Sequence, residues 1–272
     1  MKKILCPTDF SPTSNNAIHY AAKLAQVTNS HLTLLNVHSL LDITPLESVK
    51  DLESTLRSTA DRLDNQCSEI SKTFNISCSA GVEPSHRSLS TVIQEKSIQF
   101  DLILMGSNGA DNLRQFFLGS NTYNALTKSK TPVLIIPEGF LYSRIKRIVY
   151  AFDYLRARKL PLKPLIDLAR KLDSDVTVLQ VMEEAYSKVA ENDLKELQFI
   201  LQAREAKGFP LTYETIRSSE VAKSIDSFIL KYEPDVLALC SQQRNFIENI
   251  FHNSVIKTIS AICSYPVFVF HE

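Results

Sequence analysis

Short uninterrupted apolar runs alternate along this chain with longer stretches in which apolar residues recur every three or four positions. Lys3 to Cys6 is such a run and stops at Pro7-Thr8-Asp9. Apolar runs bounded by turn residues are the mark of strands buried on both faces of a parallel sheet. From Ser14 to Val27 the apolar positions Ala17, Ile18, Ala21, Ala22, Leu24 and Ala25 fall on one helical face, with Ser11 or Thr13 placed to cap it. The same reading continues with a strand at Leu32–Val37, a helix from about Leu46 to Phe74 and a strand at Ile76–Ala80. A helix at Leu89–Ile98, a strand at Leu102–Met105, a glycine-bearing loop, a helix near Asn121–Ser129 and a strand at Val133–Ile136 complete it. Strictly alternating strands and helices predict an α/β domain, an open five-stranded parallel sheet with helices on both faces.

The pattern then starts over. Lys146 to Asp153 repeats the logic of Lys2 to Asp9 at a shift of 144, which also carries Val37 onto Val181. Further on the shift is 134: Asp101 maps to Asp235, Pro132 to Pro266, and the strand Leu102–Met105 to Val236–Leu239. The last strands, Val133–Ile136 and Val267–Phe270, match at that shift too. Two matched ends with one deletion of 10 residues between them predict an internal duplication. The expected domains are residues 1–140 and 144–272, joined near Glu138 to Ser143, with the deletion after the second strand of the second copy.

Composition narrows the function classes. Lys+Arg and Asp+Glu are both 30, so the chain lacks the basic excess of a nucleic-acid binder and has no charge-based attraction to an anionic membrane. Five cysteines without CxxC spacing argue against a disulfide framework or a zinc site and fit a reducing, cytoplasmic setting. No apolar run reaches the roughly 20 residues of a membrane span. The six histidines have no metal-ligand spacing.

The chemistry concentrates after the fourth strand. Met105 leads into Gly106-Ser107-Asn108-Gly109, and Gly119-Ser120-Asn121-Thr122 follows, a G-x2-G-x9-G-S pattern. Ligands of open α/β sheets collect at the carboxyl ends of the strands. Glycines let backbone N–H groups turn and approach an anion, and a helix opening at Gly119-Ser120 favours negative charge. The other reading of the same glycines is a tight turn and close helix packing. The loop is neither a Walker A motif nor a Rossmann fingerprint.

With Ile4 to Ser11, the strand end Asn36-Val37 and the complete Met105-Gly106-x2-Gly109-x9-Gly119-Ser120 motif followed by Pro132-Val133, the chain resembles a tandem universal stress protein. The resemblance implies a Rossmann-like fold akin to the adenine-nucleotide α-hydrolases, and ATP as ligand, with or without Mg²⁺. It implies that Gly106, Gly109, Gly119 and Ser120 cradle phosphates, with Asn121 and Thr122 beside them. Asp9, with Pro7 and Thr8, would meet the ribose or a phosphate-bound Mg²⁺, and the Val37 backbone the adenine edge. Asn108 stands where the family often has histidine or arginine. The resemblance also implies pairing of the last strands within one chain, leaving further homodimerisation open.

In the second copy Gly106, Gly109 and Gly119 become Cys240, Gln243 and Asn253. The expectation is one nucleotide per chain and a second domain that acts as a partner. Arg114 is the only cation in the glycine loop, so chemistry beyond slow ATP hydrolysis or autophosphorylation at Ser107 or Ser120 is not expected. The function expected is regulation in a stress response through an unidentified protein partner. The alternative is a nucleotide-independent interaction platform.

Overall fold

The computed structural model describes residues 1–40, 49–107, 129–152, 162–182, 206, 208–240 and 264–270. They fall into two compact units, Met1–Tyr142 and Ser143–Glu272.

In the first unit β1 (Lys3–Pro7), α1 (Pro12–Thr28), β2 (His31–Ser39), α2 (Val49–Phe74) and β3 (Cys78–Ser85) come first. The chain continues with α3 (Leu89–Ser97), β4 (Leu102–Gly106) and β5 (Val133–Ile136). The strands lie in the order β3-β2-β1-β4-β5, every neighbouring pair parallel. Ile4, Leu5, Cys6, Leu32, Leu34, Ile103, Leu104 and Leu134 are all buried, which is why these strands read as continuous apolar runs. The alanines of α1 sit at 0% exposure and bring that helix close to the sheet. β1 lies between its successor β2 and β4, so the chain reverses its direction of travel across the sheet there. Right-handed crossovers then put α1 and α2 on one face and α3 on the other.

Several boundaries differ from the sequence pattern. β3 starts two residues later and runs on to Ser85, because it pairs with β2 as far as Ser39↔Ser85. Its composition (Gly81, Glu83, Pro84) hides this, since an edge strand needs little apolar content. α2 is described from Val49, and the residues before it lie outside the described residues, as do those of the helix expected near Asn121–Ser129 apart from its last. That last residue, Ser129, is not helical. After β5 the chain stays with the first unit: Asn16 donates to the carbonyls of Pro137 and Phe140, and the ring of Tyr20 meets those of Phe140 and Tyr142.

The second unit repeats the scheme with β6 (Arg147–Phe152), α4 (Lys163–Leu172), β7 (Asp175–Met182), β8 (Leu211–Arg217), α5 (Val221–Tyr232), β9 (Val236–Cys240) and β10 (Val267–Phe270). Its strand order, β8-β7-β6-β9-β10, is the same, and all its pairs are parallel. The duplication reaches individual hydrogen bonds. Asp101 accepts the backbone N–H groups of Lys2 and Lys3, and Asp235 accepts those of Lys146 and Arg147. α1 and α4 end on Asn29 and Asp173, both left-handed at φ 49° and 55°, a conformation that short polar side chains tolerate. The register also locates the deletion. β2 Leu32 pairs with Cys78, whereas its counterpart Val176 pairs with Leu211. The segment between these pairs is therefore eleven residues shorter in the second copy, and one residue is regained before β9. Among the described residues no helix is long and apolar enough to cross a membrane.

Candidate functional site

The point where the sheet changes direction, between the carboxyl ends of β1 and β4, is where an open α/β sheet leaves a crevice for a ligand. Pro7, Thr8 and Asp9 leave β1 there, Met105 and Gly106 end β4, and Val37 lies two residues beyond the last β2 residue that β1 pairs with. Gly109, Gly119, Ser120, Asn121 and Thr122 lie outside the described residues.

The loop after β1 is built by its own hydroxyls and carboxylate. Phe10 N–H donates to Thr8 Oγ1 at 3.0 Å, and Ser11 N–H to Asp9 Oδ1 at 3.0 Å. Ser11 then caps α1 by accepting the Ser14 N–H at 3.1 Å. Of the two caps the sequence offered, Ser11 performs the role. Thr13 instead faces β4. Thr8 and Ser14 join their hydroxyls at 3.1 Å in a buried contact. This turn holds Phe10 at φ 62°, an uncommon conformation for a bulky side chain. Arg62 of α2 stacks its guanidinium 4.0 Å from the Phe10 ring centre, which brings a cation to the loop. Asp9 keeps its carboxylate at the surface.

At Gly106 the geometry matches the second of the two sequence readings, close helix packing. The residue does not use a positive φ. A Cβ there would stand 2.7 Å from Thr13 Cγ2 and 3.0 Å from the Thr13 carbonyl oxygen. The missing side chain lets the first turn of α1 press against the end of β4. The next residue, Ser107, extends the ladder by donating its N–H to Ile136 O at 2.9 Å. Met105 is 5% exposed, so its side chain belongs to the core.

On the β2 side the geometry follows from parallel-sheet alternation. His31 N–H donates to Lys2 O and Thr8 N–H donates to Leu35 O, so the odd-numbered residues of β2 present their backbone toward β1. Val37 shares that orientation. The β1–β2 pairing ends at Pro7↔Leu35, and Val37 therefore points a donor and an acceptor past the end of β1. The ladder's next partners would be Thr8 O and Phe10 N. Thr8 O instead accepts Asn36 Nδ2 at 2.9 Å, and Phe10 N donates to Thr8 Oγ1 at 3.0 Å.

Three contributors hold roles that the sequence reading did not assign to them. Asn36 entered only as a neighbour of Val37 at the strand end, and Thr13 only as a possible cap. The roles of Thr13 and Arg62 depend on contacts with elements distant in the chain. The described thiols of the first unit are poor nucleophiles. Burial pushes Cys6 well above the usual thiol range, and Cys67 and Cys78 are also raised, mainly by burial. Among the described residues no cluster of three or more His, Cys, Asp or Glu side chains is arranged to hold a metal ion.

In the second unit Cys240, 5% exposed, stands at the Gly106 position. Gln180 stands at the Asn36 position and is 3% exposed, with no hydrogen-bond partner for Oε1.

A profile described as the universal stress protein family matches residues 1–137 and again 144–271. A universal stress protein of Methanocaldococcus jannaschii is 29% identical over 154 residues, which covers 50% of this chain and 94% of that relative. A universal stress protein of Archaeoglobus fulgidus shares the fold at a TM-score of 0.70 and 19% identity, over 99% of this chain and 96% of that one. A functionally unknown protein of Pseudomonas aeruginosa does so at 0.61 and 18%, over 100% and 92%.

Proposed function

This chain belongs to the universal stress protein family, and from that membership we propose that its first domain, residues 1–140, binds one adenine nucleotide, with ATP as the ligand. The observation that carries the reading is the backbone edge of Val37. A C=O and an N–H side by side, released from the β1 ladder, match the N6 amino group and N1 acceptor of adenine. The ribose and phosphates would then lie over the β1 and β4 ends, near Asp9 and Gly106. Gly109, Gly119, Ser120, Asn121 and Thr122 would complete the phosphate cradle through their N–H and hydroxyl groups. A Mg²⁺ ion held by nucleotide phosphates needs only one or two protein carboxylates. Asp9, exposed at the strand end, fits that need.

The second domain, residues 144–272, is the nucleotide-free partner in this proposal, because Cys240 adds a side chain where the first domain has none. One nucleotide per chain follows. The biological role is regulation in a stress response, in the cytoplasm, through a protein partner. A nucleotide-independent platform is the second reading, and the contact of Gly106 with Thr13 favours it at that one position.

Heat extraction of the purified chain followed by HPLC, with calorimetric titration of Mg·ATP, separates the two readings. The proposal expects adenine nucleotide or a binding stoichiometry near one. A chain that yields no nucleotide and shows neither heat nor thermal shift with Mg·ATP is a platform.

A further inference from the structure

We propose that Asn36 is a positioning residue that holds the β1–β2 ladder open, and that by doing so it makes the site select a 6-aminopurine over guanine. The selectivity rests on the nucleotide reading above; the opening of the ladder does not.

A parallel ladder propagates by itself. Each odd residue of β2 gives its N–H to one β1 carbonyl and takes one β1 N–H. The next step would join Val37 N–H to Thr8 O and Val37 O to Phe10 N. Both partners are diverted by side chains. Asn36 Nδ2 occupies Thr8 O at 2.9 Å, and Thr8 Oγ1 occupies the Phe10 N–H at 3.0 Å. The amide of Asn36 thus substitutes for the Val37 N–H on the Thr8 carbonyl. Thr8 is buried, so this carbonyl is held by protein and not left to bulk water.

The second domain supplies the contrast within one molecule. There Phe152 replaces Thr8 and Gln180 replaces Asn36. Phe152 has no hydroxyl with which to divert a following N–H. The ladder runs one residue further, to Phe152↔Gln180, whereas in the first domain it stops at Pro7↔Leu35. The domain whose strand end carries Thr8 and Asn36 is the one whose pairing stops short.

The exposed pair reads a purine by polarity. Val37 O accepts from a 6-amino group, and Val37 N–H donates to an unprotonated N1. Guanine offers the reverse, a 6-oxo acceptor and an N1–H donor, so both contacts become repulsive. If the Val37 N–H closes onto Thr8 O, the base loses its donor and adenine loses its advantage.

The test uses the full-length chain stripped of nucleotide, with Asn36→Ala and Asn36→Gln, the latter installing the second-domain residue. Amide hydrogen exchange of Val37, read by NMR in the absence of ligand, is expected to slow by about tenfold or more in both variants as the ladder closes. The ratio of ATP to GTP affinity, from calorimetry, is expected to fall about tenfold, the worth of one hydrogen bond. Affinity for inorganic triphosphate stays within about twofold, because the phosphate contacts are untouched. Unchanged Val37 exchange in a folded variant overturns the role of Asn36, and Asn36→Gln decides the matter if Asn36→Ala does not fold. Slowed exchange with an unchanged ATP to GTP ratio overturns the selectivity. A wild-type chain that binds neither ATP nor GTP overturns the nucleotide reading, while the exchange measurement still decides whether Asn36 holds the ladder open.

Discussion

Replacing Gly106 with alanine adds one methyl group where the end of β4 meets the first turn of α1. The new Cβ would meet Thr13 Cγ2 at 2.7 Å, Thr13 O at 3.0 Å and Thr13 C at 3.2 Å. Two of those three atoms are backbone in the first turn of α1, and Thr13 is only 4% exposed, so rotating a side chain cannot clear the overlap. Either α1 shifts away from β4 or the strand end moves. Overpacking of this kind costs about 1–3 kcal/mol, and the two backbone contacts place Gly106→Ala near about 2 kcal/mol. For a unit of this size that lowers the melting temperature by about 4–8 °C, measurable by calorimetry on the nucleotide-free chain. Adding Thr13→Ser removes Cγ2 and should restore roughly half of the loss while leaving the two backbone contacts. A Gly106→Ala chain that melts within about 1 °C of wild type would refute the packing argument. Loss of nucleotide binding with unchanged melting would instead assign this glycine to the ligand alone.

Three further predictions follow from the hydrogen-bonding and titration of the two domains. Asp101→Ala and Asp235→Ala each remove a carboxylate that accepts two strand N–H groups, and each should destabilise its own unit by about 1 kcal/mol, discounted for exposure. A calorimetric effect in one unit only would argue against equivalent roles. Ser11→Ala removes the cap of α1 and should cost about 1 kcal/mol, with faster amide exchange at Ser14 as the local readout. Burial raises the Cys6 thiol above its unfolded value, so its contribution is fully present below the unfolded thiol range and lost as pH rises beyond it. Between about pH 8.5 and about pH 10 the wild type should therefore lose roughly 1–2 kcal/mol more than Cys6→Ala, measured by urea unfolding. Parallel pH profiles would contradict a buried neutral thiol.

Much of the architecture was legible from pattern alone because it rests on local alternation. Runs such as Leu102–Met105 and Val133–Ile136 are strands because parallel sheets bury both faces, and burial on both faces leaves a continuous apolar signature. The duplication was legible because Asp101 and Asp235, Pro132 and Pro266 keep their spacing to the strands they serve. The full extent of β3 was not, since a polar edge strand is defined by its partner and not by its own composition.

The residues at the β1 and β4 ends were legible as candidates, and close helix packing was one of two readings for Gly106, but the choice between the readings was not legible. Composition offers a glycine at position 106. Only the approach of α1 shows that its missing Cβ makes room for Thr13 and that no left-handed backbone is involved. Composition likewise offers Asn36 and Val37 as neighbours, and only the register of β1 against β2 shows that one side chain takes the carbonyl the other's N–H would have reached. Periodicity reports which face of an element is buried, so the sequence by itself determined the order of the described strands and helices of the first unit and the repetition of its strands. A hydrogen bond made or withheld between residues 28 apart depends on where two strands stop, and that was decided by the tertiary structure alone.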